Sequence, residues 1–288
     1  MPEWYRKTAI NDIRPVQIEA LDADGYLKAW QHVSEGQVEE IAKAFFVKIA
    51  QAYPSKSEGC YLFDTTNYFT FMSGKTKSDL ARTGNNKEGR YWLRQVGLAL
   101  LVDRENKLPF FYKEYAGNRH DSKVFQEYLH DMLSTVHSHG KTEVTFVFDK
   151  GMNAEANFSI FDEIDTAHFV TTYSPYYAEA LTHIDRKKFE KVDCRANAER
   201  ISRNREEGCI LACRTEGEYW GKKRTVIVTY NPLTASKQRH AFDQKNQKLI
   251  RLFDEIKESI KTSKRKVSAE RYRHQYEEMC EALHLPPP

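Results

Sequence analysis

This sequence of 288 residues has no apolar run near the ~20 residues that span a bilayer. Its N-terminus, MPEWYRKTAI, lacks the apolar core of a signal peptide. We therefore expect a cytoplasmic protein with no membrane partner. The five cysteines are odd in number, and no second close pair joins Cys209 and Cys213 to complete a zinc site. We expect reduced cysteines and no zinc.

The sequence also has no large excess of basic or of acidic residues. The chain carries 44 basic and 41 acidic residues, for a net charge of +3. A claim of nucleic-acid binding therefore has to rest on local clusters of charge rather than on the total. What is present is a globular composition, 40% hydrophobic and 30% charged. The length suits one large domain or two modest ones.

The order of predicted elements indicates the fold. Residues 1–58 form an N-terminal helical segment that includes an amphipathic helix over about 35–52, which begins at a capping box of Ser34 and Gln37. The next region, 59–178, has the order βββαβαβ. Its strands are expected at 60–72, 94–103, 108–115, 143–149 and 167–173, and its helices at 121–138 and 154–164. Three antiparallel strands followed by parallel strands with crossover helices indicate an RNase H-like mixed α/β sheet.

The character of the sequence changes after Pro175. Residues 179–232 are predicted to be a β-rich insertion, with strands at 186–194, 208–214 and 224–230 and a hairpin loop at 216–221. Residues 233–288 are predicted to be a long basic C-terminal helix that forms the end of the insertion.

Two apolar strands each carry one carboxylate. Asp64 follows Tyr61-Leu-Phe, and Asp149 follows Val144-Thr-Phe-Val-Phe. A buried Asp is costly unless it is paired or binds a metal ion. Because the first and fourth strands of the expected sheet are neighbours, the two carboxylates could bridge two Mg²⁺ or Mn²⁺ ions and support an in-line phosphoryl displacement. The alternative is that each Asp only ends its strand and caps a turn.

Several segments, in order, carry a family resemblance. They are FDTTNYFTF (63–71), GRYWLRQVGLALLVDRENKLPFFYKEYAGNRHDSKVF (89–125), VTFVFDKGMNAEANF (144–158), HFVTTYSP (168–175) and VIVTYNPLTASKQRHAFDQKNQKL (226–249). They resemble the DDE-type insertion-sequence transposases that carry a mostly β insertion in an RNase H-like core. The resemblance implies DNA transposition, by Mg²⁺- or Mn²⁺-dependent strand cleavage and transfer at the terminal inverted repeats of double-stranded transposon DNA. It further implies Asp64 and Asp149 as the first two catalytic carboxylates and metal ligands, a structural GN-x-x-D turn at Gly117-Asn118 with Asp121, and a homodimer on DNA.

The resemblance also implies a third carboxylate, a Glu on a helix after the insertion, with a Tyr and an Arg before it and a Lys after it. The nearest imitation is Tyr272-Arg273 with Glu277-Glu278, whose spacing fails and which no Lys follows. We therefore expect a truncated copy in which metal affinity and strand transfer are impaired. The alternatives are a catalytically silent DNA-binding or dimerising remnant, and a nuclease of the same fold, for which the inserted β segment is unnecessary.

Three places are candidate DNA contacts. A polar connection after Asp64 carries Lys75, Lys77, Arg82 and Lys87, and the later helical segment carries Lys264, Arg265 and Lys266. These side chains could neutralise phosphates, or they could line a solvated loop and a solvated helix face. Trp220, at the expected hairpin tip, could stack on a flipped base or pack against its own insertion.

Overall fold

The computed structural model describes residues 2–54, 59–86, 88–138, 140–174, 178–262 and 268–285. The chain divides into two compact units, residues 1–174 and 175–288. The first unit contains a six-stranded sheet and the second a three-stranded sheet. Within the described ranges, no helix combines the length and apolar composition that crossing a membrane needs.

Four helices precede the sheet of the first unit. They are α1 (Pro2–Arg6), α2 (Ile10–Ile13), α3 (Ala23–Trp30) and α4 (Glu35–Ala52). Helix α4 begins at the predicted capping box, in which the Ser34 N–H donates to Gln37 Oε1 at 2.9 Å and the Gln37 N–H donates to Ser34 Oγ at 3.3 Å. An ion pair between Lys113 and Glu39, at 3.0 Å, connects α4 to the sheet.

The strand order of the first unit is that of an RNase H-like sheet. Its strands are β1 (Cys60–Thr70), β2 (Arg82–Thr83), β3 (Arg94–Asp103), β4 (Pro109–Ala116), β5 (Val144–Phe148) and β6 (Ala167–Thr171). They lie in the order β4-β3-β1-β5-β6, with the short β2 also paired to β3. Strands β1, β3 and β4 are antiparallel, whereas β5 is parallel to β1 and to β6. The predicted fold is confirmed.

Helices α5 (Asp121–Ser138) and α6 (Glu155–Glu163) connect the parallel strands. The predicted apolar side of α5 is buried: Val124, Phe125, Tyr128, Leu129, Met132, Leu133 and Val136. The ring of Phe125 lies 4.8 Å from that of Phe63 on β1 and 4.7 Å from that of Phe148 on β5, measured between centroids. Such aromatic pairs stabilise a core by roughly 0.5–1.5 kcal/mol beyond the area they bury.

Gly97, in the middle of β3, makes room for a ring from the neighbouring strand. Gly97 pairs with Tyr115 of β4. A Cβ at position 97 would lie 2.2 Å from Cε2 and 2.3 Å from Cζ of Tyr115. The absent side chain therefore lets the Tyr115 ring lie flat across β3, where it is buried.

The second unit contains the segment that the sequence predicted to be an insertion. Its strands are β7 (Glu190–Lys191), β8 (Leu211–Tyr219) and β9 (Lys222–Tyr230), and its helices are α7 (Glu179–Thr182), α8 (Arg195–Ser202), α9 (Pro232–Thr262) and α10 (Ala269–Ala282). The expected single long helix is thus two described helices, α9 and α10. Residues 263–267 between them lie outside the described ranges.

The prediction of a strand over 186–194 is wrong. Only Glu190–Lys191 is strand in this stretch, and α8 follows it. Residues Arg186–Lys188 instead form a 3-10 turn, which the Asp185 side chain caps by accepting from the Lys187 N–H at 3.0 Å. The buried side chain of Asn197 then fixes α8 beside β8, because its Nδ2 donates to the carbonyls of Val192 and Ile210, each at 2.8 Å.

The hairpin of the insertion is longer than predicted. Strands β8 and β9 pair as far as Tyr219 opposite Lys222, which leaves a turn of only two residues, Trp220 and Gly221. Both have positive φ, 51° and 72°, as the tight hairpin turn requires. The stretch 216–219, expected to be loop, is therefore strand.

Replacing Gly97 with Ala should destabilise the first unit. The added methyl group would overlap the Tyr115 ring inside a packed layer, and overpacking of this kind costs about 1–3 kcal/mol. Gly74→Ala is the matched control, because nothing lies within 4 Å of a Cβ at that position. Urea unfolding followed by circular dichroism measures both variants, and equal midpoints for Gly97→Ala and the wild type would contradict the packing described.

Candidate active site

The parallel pairing of β1 with β5 aligns the two predicted carboxylates. The ladder pairs Tyr61 with Phe146 and Leu62 with Val147. Continued by two residues, the same register sets Asp64 beside Asp149. The structure therefore brings together the two residues that the sequence predicted as neighbours. They lie at the point where β5 ends beside β1. Both carboxylates are exposed to solvent.

Each of these carboxylates also bonds to the backbone next to it. Asp64 Oδ1 accepts from the Thr65 N–H at 2.9 Å. Asp149 caps a 3-10 turn over Lys150–Met152, and its Oδ1 accepts from the Gly151 N–H. The turn-capping alternative thus describes part of what Asp149 does. One oxygen of each carboxylate is used in this way, and Oδ2 of each remains as a possible metal ligand.

A third carboxylate, Asp121, lies near Asp149. A Cβ on Gly151 would lie 3.0 Å from Asp149 Oδ1 and 3.9 Å from Asp121 Oδ2. The missing side chain of Gly151 thus keeps the space beside these two carboxylates open. Asp121 opens α5, where a negative charge is favourable to the helix dipole. The sequence assigned it only a structural place in the GN-x-x-D turn, and its proximity to Asp149 follows from the three-dimensional packing.

The Tyr115 hydroxyl forms hydrogen bonds to Asp121 and to the residue that follows Asp64. It donates to Asp121 Oδ1 at 3.3 Å and shares a side-chain hydrogen bond with Thr65, the residue after Asp64. Burial, together with the negative charges of Asp121 and Asp64, raises the pKa of Tyr115 to about 12. The phenol therefore stays protonated and donates its hydrogen at all physiological pH values. No sequence pattern indicates this contact, because Tyr115 and Thr65 lie on strands that β3 separates and the ring crosses β3 at Gly97.

The two carboxylates at this site are of a type that suits a hard cation. Asp64 and Asp149 offer carboxylate oxygens, which Mg²⁺ and Mn²⁺ prefer, and neither a thiol nor an imidazole takes part. Within the described ranges, no group of three or more His, Cys, Asp or Glu side chains is arranged to hold a metal ion. The described residues therefore offer two carboxylates that could bind a cation together, with Asp121 near Asp149 but not grouped with them.

The connection between β1 and β3, residues 71–93, carries three of the predicted DNA contacts. Lys75, Lys77 and Arg82 are all exposed, and Arg82 also pairs with Asp79 at 3.4 Å. The Arg94 guanidinium donates to the Thr76 carbonyl at 2.6 Å and to the Gly74 carbonyl at 2.8 Å. These bonds fix the two lysines against the end of β3, on the same sheet that carries Asp64.

The remaining predicted contacts divide into two groups. Lys87, Lys264, Arg265 and Lys266 lie outside the described residues. Trp220 stands at the tip of the β8–β9 hairpin, as predicted, with its ring 6.1 Å from that of Tyr219. A tryptophan in the left-handed region is unusual and unfavourable. Its role on DNA stays a prediction.

The nearest imitation of the third-carboxylate pattern forms local pairs on α10. Arg273 Nε contacts Glu277 Oε1 at 3.2 Å, one helical turn away. The Tyr272 hydroxyl lies 3.1 Å from Ser259 Oγ of α9. These contacts are those of two packed helices within the second unit.

Comparison with known families decides the assignment. Residues 69–274 match the model of the transposase DDE domain. The chain belongs to this transposase family. The match includes Asp149 and begins five residues after Asp64, so the sheet register is what connects Asp64 to the family domain. No curated protein matches the chain.

Solved transposase structures show a distant likeness. The paired-end complex of Mos1 transposase with the left transposon end is 12% identical, covers 71% of this chain and 70% of its own, and has a TM-score of 0.29. The synaptic complex of piggyBac transposase with hairpin DNA is 11% identical over 66% of this chain and 37% of its own, with a TM-score of 0.36. A Mos1 mariner paired-end complex with Mn is 14% identical over 60% and 55%, with a TM-score of 0.29. The family assignment rests on the domain match and not on these superpositions.

The raised pKa of Tyr115 predicts a loss of stability in alkali. In the unfolded chain tyrosine ionises near pH 10, whereas folded Tyr115 ionises near 12. The unfolded state therefore loses its proton first, and the stabilisation that is complete below pH 10 declines as the pH rises towards 12. Tyr115→Phe should reduce this decline in urea unfolding measured from pH 9 to pH 12. Tyr68→Phe, at an exposed position, is the control, and an unchanged pH dependence in Tyr115→Phe would show that the phenol ionises normally.

Proposed function

We propose that Asp64 and Asp149 bind the divalent metal, Mg²⁺ or Mn²⁺, of a DNA transposase that cleaves and transfers strands at transposon ends. The alignment of these two residues by the β1–β5 register supports this most directly. Both carboxylates are exposed, and they belong to neighbouring central strands of a sheet whose strand order is RNase H-like. Membership of the transposase DDE-domain family supplies the reaction class.

The residues of this chain have distinct parts in that reaction. Asp64 and Asp149 supply charged oxygen ligands from two adjacent strands, so their spacing is fixed by backbone pairing. Metal ions bound there would polarise the scissile phosphate and stabilise the leaving oxygen. Tyr115 and Gly151 act indirectly, Tyr115 by holding Asp121 and Gly151 by leaving space beside Asp149.

We further propose that these 288 residues alone carry out the reaction weakly or not at all. Two carboxylates bind a divalent cation less strongly than three do, and the expected Glu, preceded by Tyr and Arg and followed by Lys, is not found after Asp149 in the sequence. Binding to double-stranded transposon ends, and dimerisation on them, do not need that residue. A catalytically silent DNA-binding or dimerising protein is therefore the alternative function.

Conservative substitutions separate metal binding from turn capping. Asp149→Asn keeps a side chain that caps a helix about as well as Asp but removes the charge. Asp64→Asn also removes the charge and keeps an oxygen that can accept from the Thr65 N–H. Each should lower Mn²⁺ affinity at least about tenfold, measured by paramagnetic resonance, while the unfolding midpoint stays close to that of the wild type. Asp131→Asn, an exposed position on α5, should leave Mn²⁺ affinity unchanged.

Nicking of supercoiled plasmid in Mn²⁺ tests the reaction itself. We expect little or no nicking by the wild type, and none by Asp64→Asn. Rapid Asp64-dependent nicking would contradict the proposed impairment. Mn²⁺ binding that survives in both Asn variants would contradict the metal site, and intact DNA binding without any Mn²⁺ binding would favour the silent alternative.

DNA affinity should fall steeply with salt, because basic side chains on the 71–93 connection would displace counterions from phosphates. Lys75→Ala and Lys77→Ala should each reduce the slope of log affinity against log salt by about 1, measured by fluorescence anisotropy on a duplex transposon end. Lys48→Ala, an exposed lysine on α4, is the control and should leave the slope unchanged. Equal slopes for all four proteins would remove these two lysines from the interface.

A further inference from the structure

Four large aromatic side chains stand exposed at one end of the first unit's sheet. We call them the aromatic end: Tyr68, Phe71, Tyr91 and Trp92, which are 57%, 84%, 61% and 74% exposed. A single exposed aromatic residue needs no explanation, but several together mark an interaction surface. Neither the metal site nor the predicted phosphate contacts make use of these rings.

The strand register gathers the aromatic end in space. Tyr68 of β1 pairs with Val96 of β3, and the last pair of this ladder is Thr70 with Arg94. Phe71 directly follows that pair on one strand, and Tyr91 and Trp92 closely precede it on the other. The guanidinium of Arg90 lies 5.5 Å from the centre of the Phe69 ring, so the chain before β3 folds back along β1.

The surroundings of the aromatic end are basic. Residues 71–94 contain six basic and two acidic residues. Arg82 pairs with the neighbouring Asp79, and Arg90 with the neighbouring Glu88, at 3.4 and 3.2 Å. The acidic residue nearest to Lys75 and Lys77 in sequence, Asp79, lies two residues after Lys77 and has Arg82 as its partner. Arg94 holds the carbonyls on either side of Lys75 at the same end of β3. Exposed rings among positive charges suit a ligand that has flat aromatic faces and a negative backbone.

We propose that the aromatic end binds unpaired bases of a DNA strand by stacking, next to the phosphate that a metal ion bound by Asp64 and Asp149 would contact. This inference rests on the proposed function. Asp64, Thr66 and Tyr68 lie on the same, exposed face of β1. Four residues along a strand span about 13 Å, which equals about four nucleotides if the bases stay stacked at the duplex rise of about 3.4 Å. Tyr68 therefore stands a few nucleotides from the reacting phosphate, and Phe71 and Trp92 stand farther along.

Unpaired bases fit this surface better than duplex DNA does. The faces of paired bases are hidden in the stack, so a duplex would present only phosphates and groove edges to the rings. An unpaired extension offers one free face for each base, and each stacked base contributes to affinity whatever its identity. The basic residues around the rings would then follow the backbone of the same strand.

Binding of three DNA probes tests the proposal in the full chain. The probes are a blunt duplex, the same duplex with a single-stranded extension of about eight nucleotides, and that single strand alone, measured by anisotropy in EDTA so that no cleavage occurs. Trp92→Ala should weaken binding of the extended duplex about tenfold and leave the blunt duplex unchanged. Trp30→Ala, at a tryptophan of α3 that is 57% exposed, should change neither.

Restoring a ring should restore binding. Trp92→Phe is expected to recover most of the lost affinity for the extended duplex, since stacking needs a flat face rather than an indole N–H. Equal weakening of blunt and extended duplexes by Trp92→Ala would overturn the proposal. Unchanged binding of all three probes would also overturn it, whether or not the oligomeric state shifts. Asp64→Asn separates the two claims, because it should lower Mn²⁺ affinity at least about tenfold and still bind the extended duplex in EDTA as the wild type does.

Discussion

One ring, Phe125, holds the candidate active site together. Phe63 directly precedes Asp64, Phe148 directly precedes Asp149, and both rings pack against Phe125 at centroid distances below 5 Å. Strands alternate their side chains, so burying the two Phe residues under α5 directs the next residue of each strand away from that core. The apolar packing of α5 thus directs both carboxylates away from the core, and the parallel register of β1 and β5 sets them side by side.

Much of this arrangement is visible in the sequence. The apolar runs that end at Asp64 and Asp149 predict buried strands, and the helical spacing of apolar residues over 121–138 predicts helix α5, which connects β4 to β5. The predicted order βββαβαβ then indicates an RNase H-like sheet, in which the first and fourth strands are parallel neighbours. Local pattern and chain topology are sufficient to find Asp64 and Asp149, because each of these signals is contained within one short segment.

Other parts of the site depend on contacts between distant segments and could not be predicted. Tyr115 reaches Thr65 only because Gly97 leaves a gap on the strand between them. The 3-10 turn over Arg186–Lys188 interrupts a stretch of strand-like alternation, and the buried amide of Asn197 fixes α8 by bonding to carbonyls five and thirteen residues away. Periodicity reports which face of an element is apolar, and it contains no information about a side chain that acts across elements.

The packing that brings the carboxylates together also creates an electrostatic cost. Asp64 and Asp149 are adjacent through the sheet register, and Asp121 is held near Asp149 by the Tyr115 hydroxyl. Like charges at such separations repel, although exposure to water weakens the repulsion. The aromatic core under α5 opposes this repulsion, and a bound cation would remove it. A fold that uses apolar packing to hold acidic groups together is thereby suited to binding a metal ion beside a phosphate, which is the chemistry that its family performs.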